Sequence, residues 1–302
     1  MNALSDSDDS DESGREQVAV GIDVGGTSVK GVLLGRDGSV LAVHRLPTPS
    51  PDPDGSGVVE TVAQVRDALI GGNDLPVGVA LPGVVDEENG LAVFSVNLGW
   101  RDLPMRDLLG KRLGTEVALS HDVRAGGVAE ARTGAAAGRG GVVVFVPVGT
   151  GVAAAVLIDG RPLVSGGYAG EIGQLLITQG EFTGKRVEEV ASARATALRA
   201  GVASAREVAS AAARGSAASQ EVWNGTVTVL ADALAGMSVT VAPSVIVIGG
   251  GLALAGHQLI GPLSEELARR LPNLRVPELL PAAHGDAAAA VGAALLGLEQ
   301  RA

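Results

Sequence analysis

The sequence predicts an α/β protein made of two similar domains in tandem, and three observations carry this expectation. Short apolar runs alternate with longer stretches of helical periodicity along the chain. The plan of residues 17–41 (buried strand, glycine-threonine turn, apolar return strand, Asp-Gly turn, third strand) recurs over 141–164. Val24-Gly25-Gly26-Thr27 is matched by Val148-Gly149-Thr150-Gly151, and Asp37-Gly38 by Asp159-Gly160, at an offset of about 120 residues, near the size of one domain. Third, buried strands end on clusters of glycine.

Each element follows from local pattern. "VAVGID" (18–23), "GVLLG" (31–35) and "VLAVHRL" (40–46) predict three strands joined by tight turns. "PSPDPDGSG" (49–57) is a loop. "VVETVAQVRDALIG" (58–71) places Val59, Val62, Val65, Ala68 and Leu69 at helical spacing and stops on Gly71-Gly72. A buried strand over 76–83 ends in Pro82-Gly83, a helix is expected over 103–114, a strand over 116–122 and a small-residue helix over 123–136. In the second half helices are expected over 187–201, 222–243, 252–271 with a break near Gly261-Pro262, and 286–300, with a buried strand over 244–251. The expected division is an acidic tail over 1–16, a first domain over 17–121 and a second over 122–302. The last helix is the candidate to pack back on the first domain.

Composition narrows the function classes. The chain has 302 residues, 46% apolar and 19% charged, enough for two cores. No run of 18 apolar residues and no secretory pattern is present, so neither a membrane nor export is expected. There is no cysteine, which excludes disulfides and thiolate metal sites. These features favour the cytoplasm. The net charge is −11, and Asp6, Asp8, Asp9, Asp11, Glu12 and Glu16 against Arg15 place −5 of it in the first sixteen residues, a polar segment that reads as disordered. Nothing concentrates Lys and Arg, so nucleic acid is not an expected partner.

Three glycine turns stand out: Gly25-Gly26-Thr27, Gly149-Thr150-Gly151 and Gly249-Gly250-Gly251. Each alone is a tight turn. Together, at strand ends of a duplicated frame, they can aim backbone N–H groups at an anion, with two hairpins on a polyphosphate and the third turn near a base or ribose. Asp23, just before the first turn, is either a turn cap or a carboxylate that holds Mg²⁺ through water. No G-x-x-x-x-G-K-[ST] loop is present, and no G-x-G-x-x-G opens a helix after a strand.

"GIDVGGTSVKGVL", "VPVGTGVAAAVLIDG" and "VIVIGGGLALAG" resemble the two phosphate motifs and the adenosine motif of the ROK family of sugar kinases and repressors. "VGVALPGVVD", "SVNLGW", "SHDVRAGGVAE" and "YAGEIGQ" resemble its sugar-site segments. The likeness covers nearly everything after residue 17, in order. It implies the actin/hexokinase/Hsp70-type ATPase (ribonuclease H-like) fold with an interdomain cleft. It implies ATP and Mg²⁺, a sugar and a nucleotide as ligands, and a homodimer among possible assemblies. The implied reaction is phosphorylation of a hexose or N-acetylhexosamine, glucose or N-acetylglucosamine foremost, at the 6-hydroxyl. A non-catalytic sugar-sensing protein or a transcriptional regulator is the alternative. Family repressors carry a helix-turn-helix domain ahead of the first phosphate motif, where this sequence has about sixteen residues of net negative charge, too few for three helices and the wrong sign for DNA.

The resemblance places Asp122 at the catalytic general base. On sequence alone Asp122 is equally a helix N-cap. Asn97, Glu171 and Glu188 match sugar ligands, and Gly83 matches a backbone contact. Three departures accompany them. His121 stands where the family usually has Asn. Gln174 stands where it has a His that binds zinc and sugar. The cysteine-rich zinc loop is replaced by "LLITQGEFTGKRVEEV". A zinc-free variant is expected, with Gln174 still able to donate to and accept from a sugar hydroxyl and His121 able to donate to one.

Overall fold

A computed structural model of the chain describes residues 17–301; the acidic segment 1–16, expected as a disordered tail, lies outside them. The described chain divides into two compact units, one reaching Ala125 and rejoined by the residues from Ala289 onward, the other Gly126–Ala288. The division falls inside a helix, not ahead of Asp122. The reason is close packing: a Cβ on Gly292 of the C-terminal helix would sit 1.7 Å from the Ala125 carbonyl oxygen.

In the first unit, β1 (Gln17–Val24), β2 (Ser28–Gly35) and β3 (Val40–Pro47) form an antiparallel meander, followed by α1 (Ser56–Ile70) and β4 (Val77–Leu81). β5 (Val84–Asp86), β6 (Leu91–Ser95) and β7 (Trp100–Leu103) make a separate three-stranded sheet. α2 (Met105–Leu113), β8 (Val117–His121) and α3 (Asp122–Arg132) follow. The main sheet has the order β3-β2-β1-β4-β8, with β1, β4 and β8 parallel. β1, β4 and β8 therefore end at one edge, where Asp23 is the last but one residue of β1 and Gly83 and Asp122 follow β4 and β8. α1 buries Val58, Val62, Val65 and Leu69 against this sheet together with Ile22, Leu33 and Val79. Its first turn is capped from a distance: both oxygens of buried Asp52 accept, from the N–H groups of Gly57 and Val58, at 2.9 Å each.

The C-terminal helix, Ala288–Arg301, packs on β1 and β4 by its backbone. Gly21 and Gly78 are register partners. A Cβ on Gly21 would lie 1.8 Å from the Ala290 carbonyl, and one on Gly78 1.8 Å from that of Ala293. Two glycines side by side thus let a helix of small residues approach main chain to main chain.

The second unit repeats the plan. β9 (Val142–Pro147), β10 (Ala155–Ile158) and β11 (Arg161–Pro162) lead into α4 (Val187–Ala191), α5 (Ala193–Ala200), α6 (Ala205–Ala213) and α7 (Ala217–Val241). β12 (Val245–Gly249), α8 (Gly250–Ala253), α9 (His257–Arg270) and β13 (Glu278–Pro281) complete it. The sheet order is β11-β10-β9-β12-β13, the same arrangement as in the first unit, again with β9, β12 and β13 parallel. Val144, Val146, Leu230, Leu234, Ile246 and Ile248 lie at the centre of its core.

Several elements differ from expectation for local reasons. The helix expected over 187–201 is two helices, because Ser192 adopts extended φ/ψ and its hydroxyl accepts from the Ala195 N–H. The break expected near Pro262 falls instead at Gly256, whose φ of 58° and ψ of −129° suit glycine alone. Pro262 sits inside α9. β13 lies at a sheet edge, where its flanking prolines are tolerated. Among the described residues no helix is long and apolar enough to cross a membrane.

Candidate active site

The turn after β1 is built without left-handed backbone. The Gly25 N–H donates to the Ser28 carbonyl at 3.0 Å. Thr48 clamps it from β3's end: its hydroxyl donates to the Gly25 carbonyl at 2.6 Å and its N–H to that of Thr27 at 3.1 Å. Gly26 and Thr27 are exposed. A Cβ on Gly26 would meet Asn97 Nδ2 at 3.6 Å, so the Asn97 amide lies beside this turn. Asn97 is held by its carbonyl, which accepts from Ser50 Oγ at 2.9 Å. Asp23, half-buried at the end of β1, is the register partner of buried Lys30. Gly83 has φ of +97°, and a Cβ there would lie 2.2 Å from the Phe94 carbonyl oxygen. Close backbone packing alone therefore demands a glycine at this position.

His121 ends β8 and Asp122 opens α3. Asp122 Oδ1 accepts from the Val123 N–H at 2.7 Å, and His121 Nε2 lies 3.0 Å from the same oxygen. Both contacts fall on Oδ1. Neither of these two contacts engages Oδ2. Burial pushes the Asp122 carboxyl up to about 6, against the pull of the Val123 N–H and the Arg124 charge, while about a third of the side chain (34%) still meets solvent. A carboxylate raised toward neutrality yet partly exposed to solvent is suited to accept a proton.

Beneath it lies a cluster that sequence reasoning did not find. One carboxylate oxygen of Glu87, Oε1, accepts from Ser120 Oγ at 2.8 Å, from the His121 N–H at 2.8 Å and from Arg124 Nε at 2.7 Å. Arg124 Nη2 donates to the Val85 carbonyl at 2.9 Å. Glu87 is one acid in "DEEN", and nothing in the linear pattern separates it from Asp86 and Glu88.

In the second unit two glycine turns meet. The Val148 N–H donates to the Gly249 carbonyl and the Leu252 N–H to the Val148 carbonyl, both at 3.0 Å. The Gly149 N–H donates to the Gly151 carbonyl at 3.0 Å, and the Gly149 carbonyl accepts from Ala193 at 2.9 Å in the first turn of α5. A Cβ on Gly149 would meet nothing within 4 Å, so this turn opens on free space; Thr150, Gly250 and Gly251 are exposed beside it. Gly250 has φ of +74° and its Cβ position is blocked by the Val148 backbone at 2.5 Å.

Glu188 joins this group: a Cβ on Gly151 or on Gly173 would lie 3.1 Å from its Oε2. Its other oxygen accepts from Gln174 Nε2 at 2.8 Å. Gly170 and Gly173 let the loop press on the backbone of 152–154, since Cβ atoms there would come within 1.8 Å of the Ala154 oxygen and 2.1 Å of the Val152 oxygen. Glu171, between them, is exposed. The segment 175–187 is fixed by hydrogen bonds from Ile177 to the Lys185 carbonyl and from Gly184 to that of Ile177, both 2.8 Å. Phe182 anchors it under the Arg199 guanidinium, 4.7 Å from the ring centroid. Among the described residues no cluster of three His, Cys, Asp or Glu side chains can hold a metal ion.

Comparison with known proteins gives the family. The family model described as "ROK family" matches residues 19–300. A glucokinase of Halalkalibacterium halodurans is 30% identical over 288 residues, 84% of this chain and 87% of that protein. The ROK hexokinase of Thermus thermophilus superposes with a TM-score of 0.80 at 27% identity, over 94% of this chain and 98% of that one. The inorganic polyphosphate/ATP-glucomannokinase of Arthrobacter sp. strain KM superposes with a TM-score of 0.70 at 29% identity, over 94% of this chain and all (100%) of that one. Each unit has the α/β architecture of the actin/hexokinase-type ATPases.

Proposed function

Because the chain belongs to the ROK family and is a sugar kinase of it, we propose that it transfers the γ-phosphoryl group of ATP to the 6-hydroxyl of a hexose or N-acetylhexosamine, glucose or N-acetylglucosamine foremost. The observation that carries this reading is Asp122, with Oδ1 held by Val123 and His121 and Oδ2 outside both contacts. In the reaction the sugar O6–H proton passes to Oδ2 as O6 bonds to the γ-phosphorus and the bond to the ADP oxygen breaks. Proton transfer to a positioned carboxylate supplies about 10²–10⁴-fold, and positioning and charge neutralisation supply the rest.

The remaining roles follow the side chains. Gly25, Gly26 and Thr27 in the first unit, and Gly149, Thr150, Gly151 and Gly249–Gly251 in the second, offer backbone N–H groups and hydroxyls to phosphate and nucleotide. Asn97 and His121 in the first unit, and Glu171, Gln174 and Glu188 in the second, supply hydrogen bonds for sugar hydroxyls, with the main chain at Gly83. Magnesium commonly takes one protein carboxylate and fills its shell with water and phosphate; Asp23 fits as that single carboxylate. When bound, the cation would neutralise phosphate charge.

Polyphosphate is the second donor to test. The first two glycine turns would meet phosphate rather than base, and the Arthrobacter relative carries both donors in its name. The test is a steady-state assay of phosphorylated product from glucose, mannose, N-acetylglucosamine and N-acetylmannosamine, each with ATP and with polyphosphate. ATP-dependent turnover of glucose or N-acetylglucosamine is expected. No turnover of any sugar with either donor would refute the kinase reading and favour a sugar sensor.

A further inference from the structure

Glu87 lies outside every glycine turn and every sugar-site residue named above, yet its carboxylate is the hub of the β8–α3 junction. It reaches there from the turn after β5. Its three bonds at Oε1 come from three consecutive features of the junction: the Ser120 hydroxyl, the His121 N–H and the Arg124 guanidinium. Arg124 is 2% exposed at its side chain and Glu87 14%. A buried arginine needs a compensating charge, and breaking such a pair by removing one partner is costly. Arg124 is also tied to the Val85 carbonyl, so β5, β8 and the first turn of α3 are locked by one ion pair.

We propose that Glu87 is a positioning residue for phosphoryl transfer: with Arg124 it holds the backbone of His121 and the first turn of α3 so that Asp122 presents its Oδ2 in one orientation. The assignment rests on the reading of Asp122 as the base. Ser120 and His121 are the two residues that precede Asp122, and Arg124 follows it by two, so the pair brackets the carboxylate on both sides along the chain.

The pair also sets the charge that Asp122 feels. Among the described residues the charged or titratable groups at this junction include His121 on β8, Arg124 on α3, Glu87 and Asp86 at the end of β5, and Arg106 of α2, whose guanidinium donates to the Glu87 and Glu88 carbonyls. Asp86 is turned to Asn89, whose side-chain amide and N–H both donate to it. β4 and the Ala289–Ala293 stretch of the C-terminal helix, which pack here, carry no charged side chain. Arg124 pulls the Asp122 carboxyl downward, and the anionic carboxylate of Glu87, paired with Arg124 at 2.7 Å, would act in the opposite sense. Each removal takes away one of two opposite charges near Asp122, so the two removals act with opposite sign.

The experiment is the pH profile of kcat/KM for the sugar with Glu87→Gln, Arg124→Met and Asp122→Asn, alongside thermal melts of each. Glu87→Gln is expected to move the acid limb down, and Arg124→Met to move it up, each by about one pH unit. In both, kcat falls about tenfold while the sugar KM stays within about threefold, as befits a loss felt in the transition state. Folded variants whose acid limb stays at the wild-type position would overturn the assignment even if kcat fell. If Arg124→Met does not fold, Glu87→Gln decides alone by the direction of its shift. Near-normal turnover by Asp122→Asn would instead overturn the base assignment, and this one with it. Loss of turnover in Asp122→Asn with unmoved limbs in the other two leaves the base standing and removes Glu87 from its positioning role.

Discussion

His121 Nε2 and Asp122 Oδ1 lie 3.0 Å apart, on the same carboxylate oxygen that accepts the Val123 N–H. With its proton on Nε2, His121 donates to Oδ1, and in the proposed mechanism Oδ2 meets the substrate. Burial raises Asp122 to about 6. The active form of a general base is the deprotonated one, so activity is present above that value and lost below it. The expected kcat/KM profile falls about tenfold per pH unit below about pH 6. A profile flat down to pH 4.5 would show that this carboxylate is not the titrating base.

The Gln174–Glu188 bond of 2.8 Å occupies one oxygen of Glu188 and orients the other beside Gly151 and Gly173. Gln174→Ala is expected to raise the sugar KM about tenfold, since a charge-assisted bond contributes on the order of 1.5–3 kcal/mol. The KM for ATP should change little. Initial-rate measurements with each substrate varied in turn check this, and an equal rise in both would contradict the assignment of Glu188 and Gln174 to sugar.

Gly173 is required by space, not by turn geometry. A methyl group there would sit 2.1 Å from the Val152 carbonyl oxygen, which is backbone and cannot swing aside. Gly173→Ala should cost about 3 kcal/mol of stability, read by urea denaturation. Gly149→Ala, where a Cβ meets nothing within 4 Å, should leave stability near wild type. Its phosphate-donor KM should rise, because the added methyl enters space that the donor needs.

Phe182 under Arg199 anchors the 175–187 segment through apolar contact and a cation–π interaction. Phe182→Ala should loosen the segment that leads into Glu188 and raise the sugar KM several-fold. A zinc-selective chelator should leave wild-type activity unchanged, and activity lost to EDTA should return with Mg²⁺ alone. Return with Zn²⁺ and not Mg²⁺ would contradict a zinc-free sugar site.

Much of this was legible in the sequence because strands and glycine turns are local signals. The repeat of Val24-Gly25-Gly26-Thr27 as Val148-Gly149-Thr150-Gly151 foretold two similar α/β domains, and the sheets of the two units share one strand order. Asp122 after a buried strand foretold a carboxylate at a strand end. The β5–β6–β7 sheet escaped notice because its strands are three to five residues long, too short to show a period. Glu87 and Arg124 escaped for another reason. Their partnership joins residues 37 positions apart, and no window of sequence contains both. Gly21 and Gly78 looked like ordinary strand glycines. Their purpose shows only when the C-terminal helix arrives over them.

In the proposed mechanism Oδ2 of Asp122 takes the proton of the sugar 6-hydroxyl. Single-turnover formation of sugar 6-phosphate by Asp122→Asn, with enzyme in excess and sugar affinity measured by calorimetry on the same sample, tests it most directly. The expected result is a fall in the chemical step of about 10²–10⁴-fold with sugar affinity kept within about threefold. A chemical step within a few-fold of wild type, at unchanged affinity, would contradict it.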